Sequence, residues 1–477
     1  MLNTDLDAIV PMLCVTLAAL WAMGAEAFRG RYERLPIGGF GIVGLLGAAV
    51  SSAFLWDRNA EGFGVILSDN FGLFVTLTLV VVGVLTIMFS AQAVHDDIPK
   101  GEYYALVLFS IVGMIMMATA TDLLVIFIAL EILSLAVYVL TGIRRDLTGS
   151  EAAFKYFLLG AFSSAFFLYG IAFTYGVAGS TRLEAIGSFL AAQSMADNPL
   201  ILLATGLLLV GFAFKIAAVP FHMWTPDAYE GAPTIVTGFM STGVKAAAFA
   251  AFVRVFLSPF EPFRDDWAPV VALIAAATMI LGTVVGVAQS NLKRMLAYSS
   301  IAHGGYLLVG LVAANNVGKA AILFYLLAYS ITNLAAFGVI ALLADRGRPH
   351  DELGDFAGLW HTRPAAAALM TVCLLSLGGL PPTAGFIGKW YIFSAAVSAG
   401  YYWLAILGVL TSVVAVFFYL RVVVMMYMSD RTAAVAPARV GGMGLAALAA
   451  SAFLIFYLGV LPAAVLDLAA ASIATIF

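Results

Sequence analysis

Charge is what this sequence has least of. Lysine, arginine, aspartate and glutamate make up 10% of its 477 residues and hydrophobic residues 63%, whereas an ordinary soluble domain carries about a quarter charged residues. That excludes a water-exposed globular surface and leaves a polytopic membrane protein. Cysteine is nearly absent: Cys14 and Cys373 lie in separate apolar segments, which excludes a disulfide framework, a C-x-x-C redox motif and iron–sulfur spacing. Histidine is equally sparse. His95, His350 and His361 fall in loops and no pair has ligand spacing within one helix, so no metal centre is expected. A basic leader is missing too, since Asp5 and Asp7 precede the first apolar run, which is too long for a signal peptide. That segment is expected to stay in the protein. The one glycine fingerprint, Gly39, Gly41 and Gly44, opens a membrane span with no strand before it, which points to helix packing rather than a dinucleotide site. No nucleic-acid partner is expected.

What is present is a series of apolar runs. A span needs about 20 such residues, and fourteen candidates begin near residues 8, 37, 70, 102, 122, 154, 199, 233, 268, 296, 317, 365, 402 and 441. An even number puts both termini on one side. Taking the loop with Arg29, Arg31 and Arg34 as cytoplasmic gathers Lys100, Arg144, Arg145, Lys293, Arg294, Arg346, Arg348, Arg363, Arg431 and Arg439 on that face, against Arg58, Arg182, Arg264 and Lys319 opposite. By the positive-inside rule the termini face outward. Arg254 and Arg421 sit near helix ends, where long side chains snorkel. Leu183, Ile186 and Leu190 predict a short interfacial helix in an outer loop.

A few charges refuse a loop. Lys155, Lys215, Lys245 and Lys389 lie inside spans, as does Glu131, in the apolar run from Asp122 to Thr141; His303 lies in another, within SSIAHGGY. Lys155 is only a turn or so inside its span, where snorkelling competes with function. Glu131, Lys215 and Lys245 are too central for that escape. A central lysine costs roughly 2.5–3.5 kcal/mol on insertion scales, so such groups mark ion pathways by default.

Two spans look broken. The seventh carries Pro220 and Pro226 soon after Lys215, and the twelfth reads LSLGGLPPTAGFIGKW, with Pro381 and Pro382 before Lys389. Proline alone predicts only a kink. Two such segments five spans apart, crossing in opposite directions, predict inverted repeats of segments four to eight and nine to thirteen. The expected organisation is an all-α membrane protein with three helices over 1–101, five-helix repeats over 102–258 and 259–430, and a last helix in 431–477. The titratable set fits proton transfer. Burial disfavours the ionised form, and neighbouring charges favour or oppose it, so Glu131, Lys215, Lys245, His303 and Lys389 can exchange protons through electrostatics alone. No redox or hydrolytic constellation accompanies them, so energy must come from partners or from another ion gradient.

The stretches FKIAAVPFHMWTPDAYEGAPT, LKRMLAYSSIAHGGY and LPPTAGFIGKW resemble the antiporter-like subunits of respiratory complex I and of the Mrp cation/proton antiporters. The resemblance covers essentially the whole chain and is greatest to the N type. The length argues against the L type with its lateral helix, and Lys389 against the M type, which has glutamate there. It implies that Glu131 pairs with Lys215, that Lys245 links two half-channels, that Lys389 faces the exit, and that His303 is the tenth-helix histidine. Lys155 would tune Glu131. Segment eleven offers only Tyr325, Tyr329, Ser330 and Asn333, so the outer half of the path would rest on His303, hydroxyls and water. The resemblance further implies proton translocation driven by quinone reduction elsewhere. FMN, iron–sulfur clusters and quinone belong to partner subunits and no cofactor to this chain. M-type and small K-type membrane subunits are the neighbours, in a bacterial inner membrane. A cation/proton antiporter subunit and a non-pumping scaffold whose buried ion pairs fix helix register are the competing readings.

Overall fold

The computed structural model describes residues 2–28, 36–94, 98–192, 198–344, 351–430 and 440–476. Arg29, Arg31, Arg34, His95, Arg346, Arg348, His350, Arg431 and Arg439 lie outside the described residues. Lipid cannot hydrogen-bond a bare backbone, so an apolar chain satisfies its own N–H and C=O groups by coiling. The chain opens with α1 (Leu2–Ala27) and α2 (Ile37–Leu55), a small antiparallel pair β1 (Ala60–Gly62) and β2 (Ile66–Ser68), then α3 (Asn70–Ala93) and α4 (Lys100–Thr119). Next come α5 (Leu123–Thr141), α6 (Leu147–Ala178), α7 (Leu183–Leu190), α8 (Pro199–Lys215), α9 (Trp224–Gly231), α10 (Thr234–Phe239) and α11 (Lys245–Phe256). A π-helical turn, Met240–Val244, joins α10 to α11. The second half holds α12 (Arg264–Val287), α13 (Leu292–Ala313), α14 (Asn316–Leu343), α15 (Leu359–Thr362), α16 (Pro364–Gly378), α17 (Ala384–Ser398), α18 (Tyr402–Met428), α19 (Gly442–Val460) and α20 (Ala463–Ile473).

Among the described residues, 12 helices are long and apolar enough to cross a membrane, α10 to α11 counting as one. The two remaining expected spans, near 199 and 365, are made of shorter helices: α8 followed by α9, and α16 followed by α17. The short apolar α20 was not anticipated, and it packs on α3 and α14. Helix starts are set by short polar side chains that accept from otherwise unpaired N–H groups. Asp122 does this for α5, Asp146 for α6, Asn198 for α8, Asn291 for α13 and Asn315 for α14.

The centre of the bundle is α10, α11, α13 and α14, with every residue from Ile235 to Leu257 buried. The peripheral helices α1, α2, α6 and α18 carry broad exposed apolar faces. Leu183, Ile186 and Leu190 are the buried face of α7. Arg254 does not snorkel. It is buried with Asp69, the N-cap of α3, in a two-pronged ion pair (2.9 and 2.7 Å), and its Nε donates to the Ala118 carbonyl. Arg421 is half-buried and donates to the Val287 and Gln289 carbonyls at the end of α12.

Candidate functional site

Both helices that stop in mid-bundle stop in the same way. At the end of α8 the Ala217 N–H donates to Phe214 O (3.0 Å) and the Ala218 N–H to Ala213 O (2.8 Å). At the end of α16 the Gly379 N–H donates to Ser376 O (3.0 Å) and the Leu380 N–H to Leu375 O (3.0 Å). Ala217 and Gly379 have positive φ, 61° and 79°. This is the Schellman motif at each end, and it aligns Lys215 with Leu377. A helix C-terminus carries partial negative charge, which favours a cation. The first break supplies one from within, because Lys215 is the last residue of α8. The second receives one from outside: Lys389, in α17, donates to the carbonyls of Leu377 (2.8 Å) and Gly378 (3.2 Å), the latter also accepting from Ser412 Oγ (3.3 Å).

The three lysines share one further ligand type. Lys215 Nζ donates to Ser134 Oγ, Lys245 Nζ to Ser300 Oγ and Lys389 Nζ to Ser412 Oγ, each at 2.7 Å. Lys245 also bonds the Ser300 carbonyl. An ammonium only donates, whereas a hydroxyl accepts or donates. A serine beside each amine can therefore accept from it or, by giving up its own bond where it has one, as Ser134 has to the Leu130 carbonyl and Ser412 to the Gly378 carbonyl, donate to it. Aromatic faces complete the surroundings. Tyr138 and Tyr156 lie 5.9 and 5.8 Å from Lys215 Nζ, Tyr329 lies 5.8 Å from Lys245 Nζ, and Tyr306 lies 4.9 Å from Lys389 Nζ.

Glu131 stands one turn before Ser134 on α5 and accepts from Ser164 Oγ at 2.5 Å. Among the described residues no ion pair within 4 Å joins it to Lys215; a cavity with about 10 Å³ of room, enough for about one water, is lined by Lys215 and by Ser164, the hydrogen-bond partner of Glu131. Glu131 is half-buried, in line with the exposed Leu124, Ile128, Leu135 and Val139. Lys155 does not join this group. Its exposed ammonium bonds Glu151 (2.7 Å) and Asp227 (3.0 Å), and among the described residues no ion pair within 4 Å joins it to Glu131.

His303 occupies the gap between Lys245 and Lys389. Its Nδ1 meets Tyr325 Oη at 2.5 Å and its Nε2 meets Tyr419 Oη at 3.3 Å, while Tyr419 Oη meets Ser299 Oγ at 2.5 Å. Asn333 donates to Ser241 Oγ (2.7 Å) and Tyr329 Oη (3.0 Å). The two halves meet at Gly304. A β-carbon there would stand 3.2 Å from the Ile216 carbonyl oxygen and 3.6 Å from Lys245 Nζ, so the segment after Lys215 and the amine of Lys245 both pack directly against this position.

Ser134, Ser164, Ser299, Ser300, Ser412, Tyr306 and Tyr419 were not singled out in the sequence. A helical serine or threonine often bonds its own i−4 carbonyl, as Ser52 and Thr76 do here and as Ser134 does with Leu130 while also accepting from Lys215, and nothing in the sequence marks those that reach across.

Residues 120–415 match the family described as NADH:quinone oxidoreductase/Mrp antiporter, TM. The NADH-quinone oxidoreductase subunit N of Trichlorobacter lovleyi is 45% identical over 426 residues, 89% of this chain and 88% of that protein. The chain belongs to the NADH-quinone oxidoreductase subunit N family. Subunit N 1 of Solibacter usitatus is 42% identical over 99% of this chain and 98% of its own length. A chain of respiratory complex I from Thermus thermophilus, solved with bound aureothin, superposes with a TM-score of 0.82 at 35% identity, covering 96% of this chain and 99% of that one. A chain of the Mrp complex from a Dietzia species reaches 0.85 at 23% identity, over 99% and 97%, which shows a common fold. Family membership makes the protein a multi-pass membrane subunit of an oxidoreductase.

Proposed function

We propose that this chain translocates protons as a membrane subunit of respiratory NADH:quinone oxidoreductase, through a relay of Glu131, Lys215, Lys245, His303 and Lys389, with Lys155 as an auxiliary on the cytoplasmic side. The observation that carries the reading is the serine at 2.7 Å from each buried lysine. A lysine held only by carbonyls would lose a bonding partner on deprotonation; one beside a hydroxyl keeps its partner when the hydroxyl turns round. Between Lys245 and Lys389 the route runs by Ser300 and Ser299, Tyr419, His303 and Tyr325. Each hydroxyl or ring nitrogen there can take a proton on one side and release one on the other.

The energy comes from partners. Glu131 lies on an outward stripe of α5, and a charge facing lipid at that depth costs roughly 2.5–3.5 kcal/mol. A neighbouring membrane subunit of the M or K type covering this face removes that cost and lets a charge across the interface act on Glu131. FMN, iron–sulfur clusters and quinone reside in other subunits of the assembly. The reading places the chain in the bacterial inner membrane with termini outward, and divides it at 1–101, 102–258, 259–430 and 431–477.

The test is proton pumping measured against NADH:quinone turnover in inverted vesicles. Glu131→Ala and Lys215→Cys are each expected to lower the protons moved per NADH oxidised. Unchanged pumping in both would sink the proposal, and loss of assembly with normal pumping per assembled complex would leave only a scaffold.

A further inference from the structure

The short helix α9 is held unusually firmly for eight residues beside a break. Asp227 bonds Lys155 (3.0 Å) and Arg294 (2.9 Å), Glu230 bonds the same guanidinium (2.5 Å), Lys293 donates to the Glu230 and Ala232 carbonyls (2.7 Å each), and Arg144 donates to the Gly231 carbonyl (2.9 Å). These cations come from α6, α13 and the turn before α6. All fall on the side of the bundle that the basic loops mark. At the other end of α9, Trp224 stacks on Tyr156 at 4.2 Å with the rings 2° from parallel, and its Nε1 donates to the Phe214 carbonyl (3.1 Å). Tyr156 in turn faces the Lys215 ammonium. Lys155 and Tyr156 are adjacent on α6, and Trp224 and Asp227 lie one turn apart on α9. The ion pair and the ring stack are therefore two contacts between the same two helices, one at the polar face and one beside the buried amine.

Three polar atoms here are buried without a protein partner among the described residues: Tyr156 Oη, Thr225 Oγ1 and His222 Nδ1. Buried polar groups are nearly always bonded to protein or to water, so this is where a water file would run. We infer that the Tyr156–Trp224 stack is a gate on water access to Lys215 from the basic-loop side, and that the ion cluster on α9, with Asp227 at its centre, is the clamp that keeps the gate shut. The rings close the way with apolar faces, and the clamp consists of partly exposed ion pairs, which are individually weak and exchange with water. Loosening Asp227 unties α9 from Lys155 of α6 while its bonds to α13 remain, so α9 can tilt away from α6 and carry Trp224 off Tyr156. The gate rests on the reading of Lys215 as a relay group, but water access is measurable apart from pumping.

The experiment uses Ser134→Cys as a reporter beside Lys215, in inverted vesicles holding the intact assembly, and follows labelling by a water-soluble cationic methanethiosulfonate against the background from Cys14 and Cys373. With the native gate labelling is expected to be slow. Weakening the closed state by one to two kcal/mol changes a population about five- to thirtyfold, so Asp227→Asn should speed labelling about fivefold and Trp224→Ala about tenfold or more. Trp224→Phe, which keeps a stacking ring, should label at the native rate. Equal rates in all assembled variants, or fast labelling already with the native gate, would overturn it. Should Trp224→Ala fail to assemble, Asp227→Asn decides alone, because it changes neither ring and acts only through the clamp. Labelling that follows the gate in a chain that does not pump would sink the relay and keep the gate.

Discussion

The two broken helices end in the same motif yet hold their lysines in opposite ways. Lys215 belongs to the helix that ends, and its ammonium leaves the helix axis for Ser134 on α5 and the faces of Tyr138 and Tyr156. Lys389 belongs to the helix that begins, and its ammonium returns to close the carbonyls of the helix that ended. A lysine that caps a helix is part of the frame. A lysine held by one serine and two rings can lose its partner at little structural cost, which suits a group that must change state. The same residue type is thus held by side chains alone at the first break and as a cap on backbone carbonyls at the second, the outer site of the proposed relay.

The largest effect that tests this contrast is on stability. Each buried polar group left unsatisfied costs about 1–3 kcal/mol, so Lys389→Ala, which strands the Leu377 carbonyl and leaves the Gly378 carbonyl only its bond from Ser412, should destabilise the assembled protein by about 2 kcal/mol, whereas Lys215→Ala should stay within about 1 kcal/mol of wild type. Thermal unfolding of the detergent-solubilised assembly measures both, and equal losses would erase the distinction. Next comes Gly379→Ala. A left-handed alanine costs roughly 1–2 kcal/mol, and the added β-carbon would stand 2.9 Å from Lys389 Cδ. Both effects act on the outer site, so lowered stability should come with weaker pumping.

A smaller effect separates the serines. Losing one hydrogen bond of about 1 kcal/mol should slow proton transfer about fivefold in Ser134→Ala. In Ser412→Ala the loss should be milder, because two carbonyls still hold Lys389. Proton-to-electron ratios in vesicles test the order, and threonine at either position should restore much of it. The smallest expected change is Ala217→Gly. Relief of left-handed strain, roughly 1–2 kcal/mol, is offset by the larger freedom of an unfolded glycine, about 0.4–1 kcal/mol, for a net gain of about half a kcal/mol in the same unfolding assay. A loss there would mean that the first break is not strained.

How legible all this is in the sequence depends on the type of signal. Apolar runs mark helices because lipid leaves the backbone no alternative, and Pro220 and Pro382 mark where two of them stop. The titratable candidates stand out because lysine and glutamate are rare at membrane depth. Lys155 was harder to read, since its ion pair with Asp227 depends on α9 folding back beside α6. Arg254 looks like an end-of-helix cation until Asp69, 185 residues earlier, is seen to reach it. Tyr419 and the serines are illegible for a different reason. A hydroxyl that bonds its own helix and one that bonds a neighbour have the same local sequence, and only packing separates them.

The π-helical turn Met240–Val244 just before Lys245 carries a last consequence. Such a turn is an α-helix that has taken in one extra residue, the widened turn absorbing it so that the flanking halves keep their facing. Its chemistry is therefore one of counting rather than of composition. A chain lacking one residue, such as Gly243, should run straight from α10 into α11, with Lys245 still aimed at Ser300 but the loosened carbonyls of the wide turn locked back into the helix. Deletion, not substitution, is the change that would separate what the backbone contributes at this point from what the side chain does.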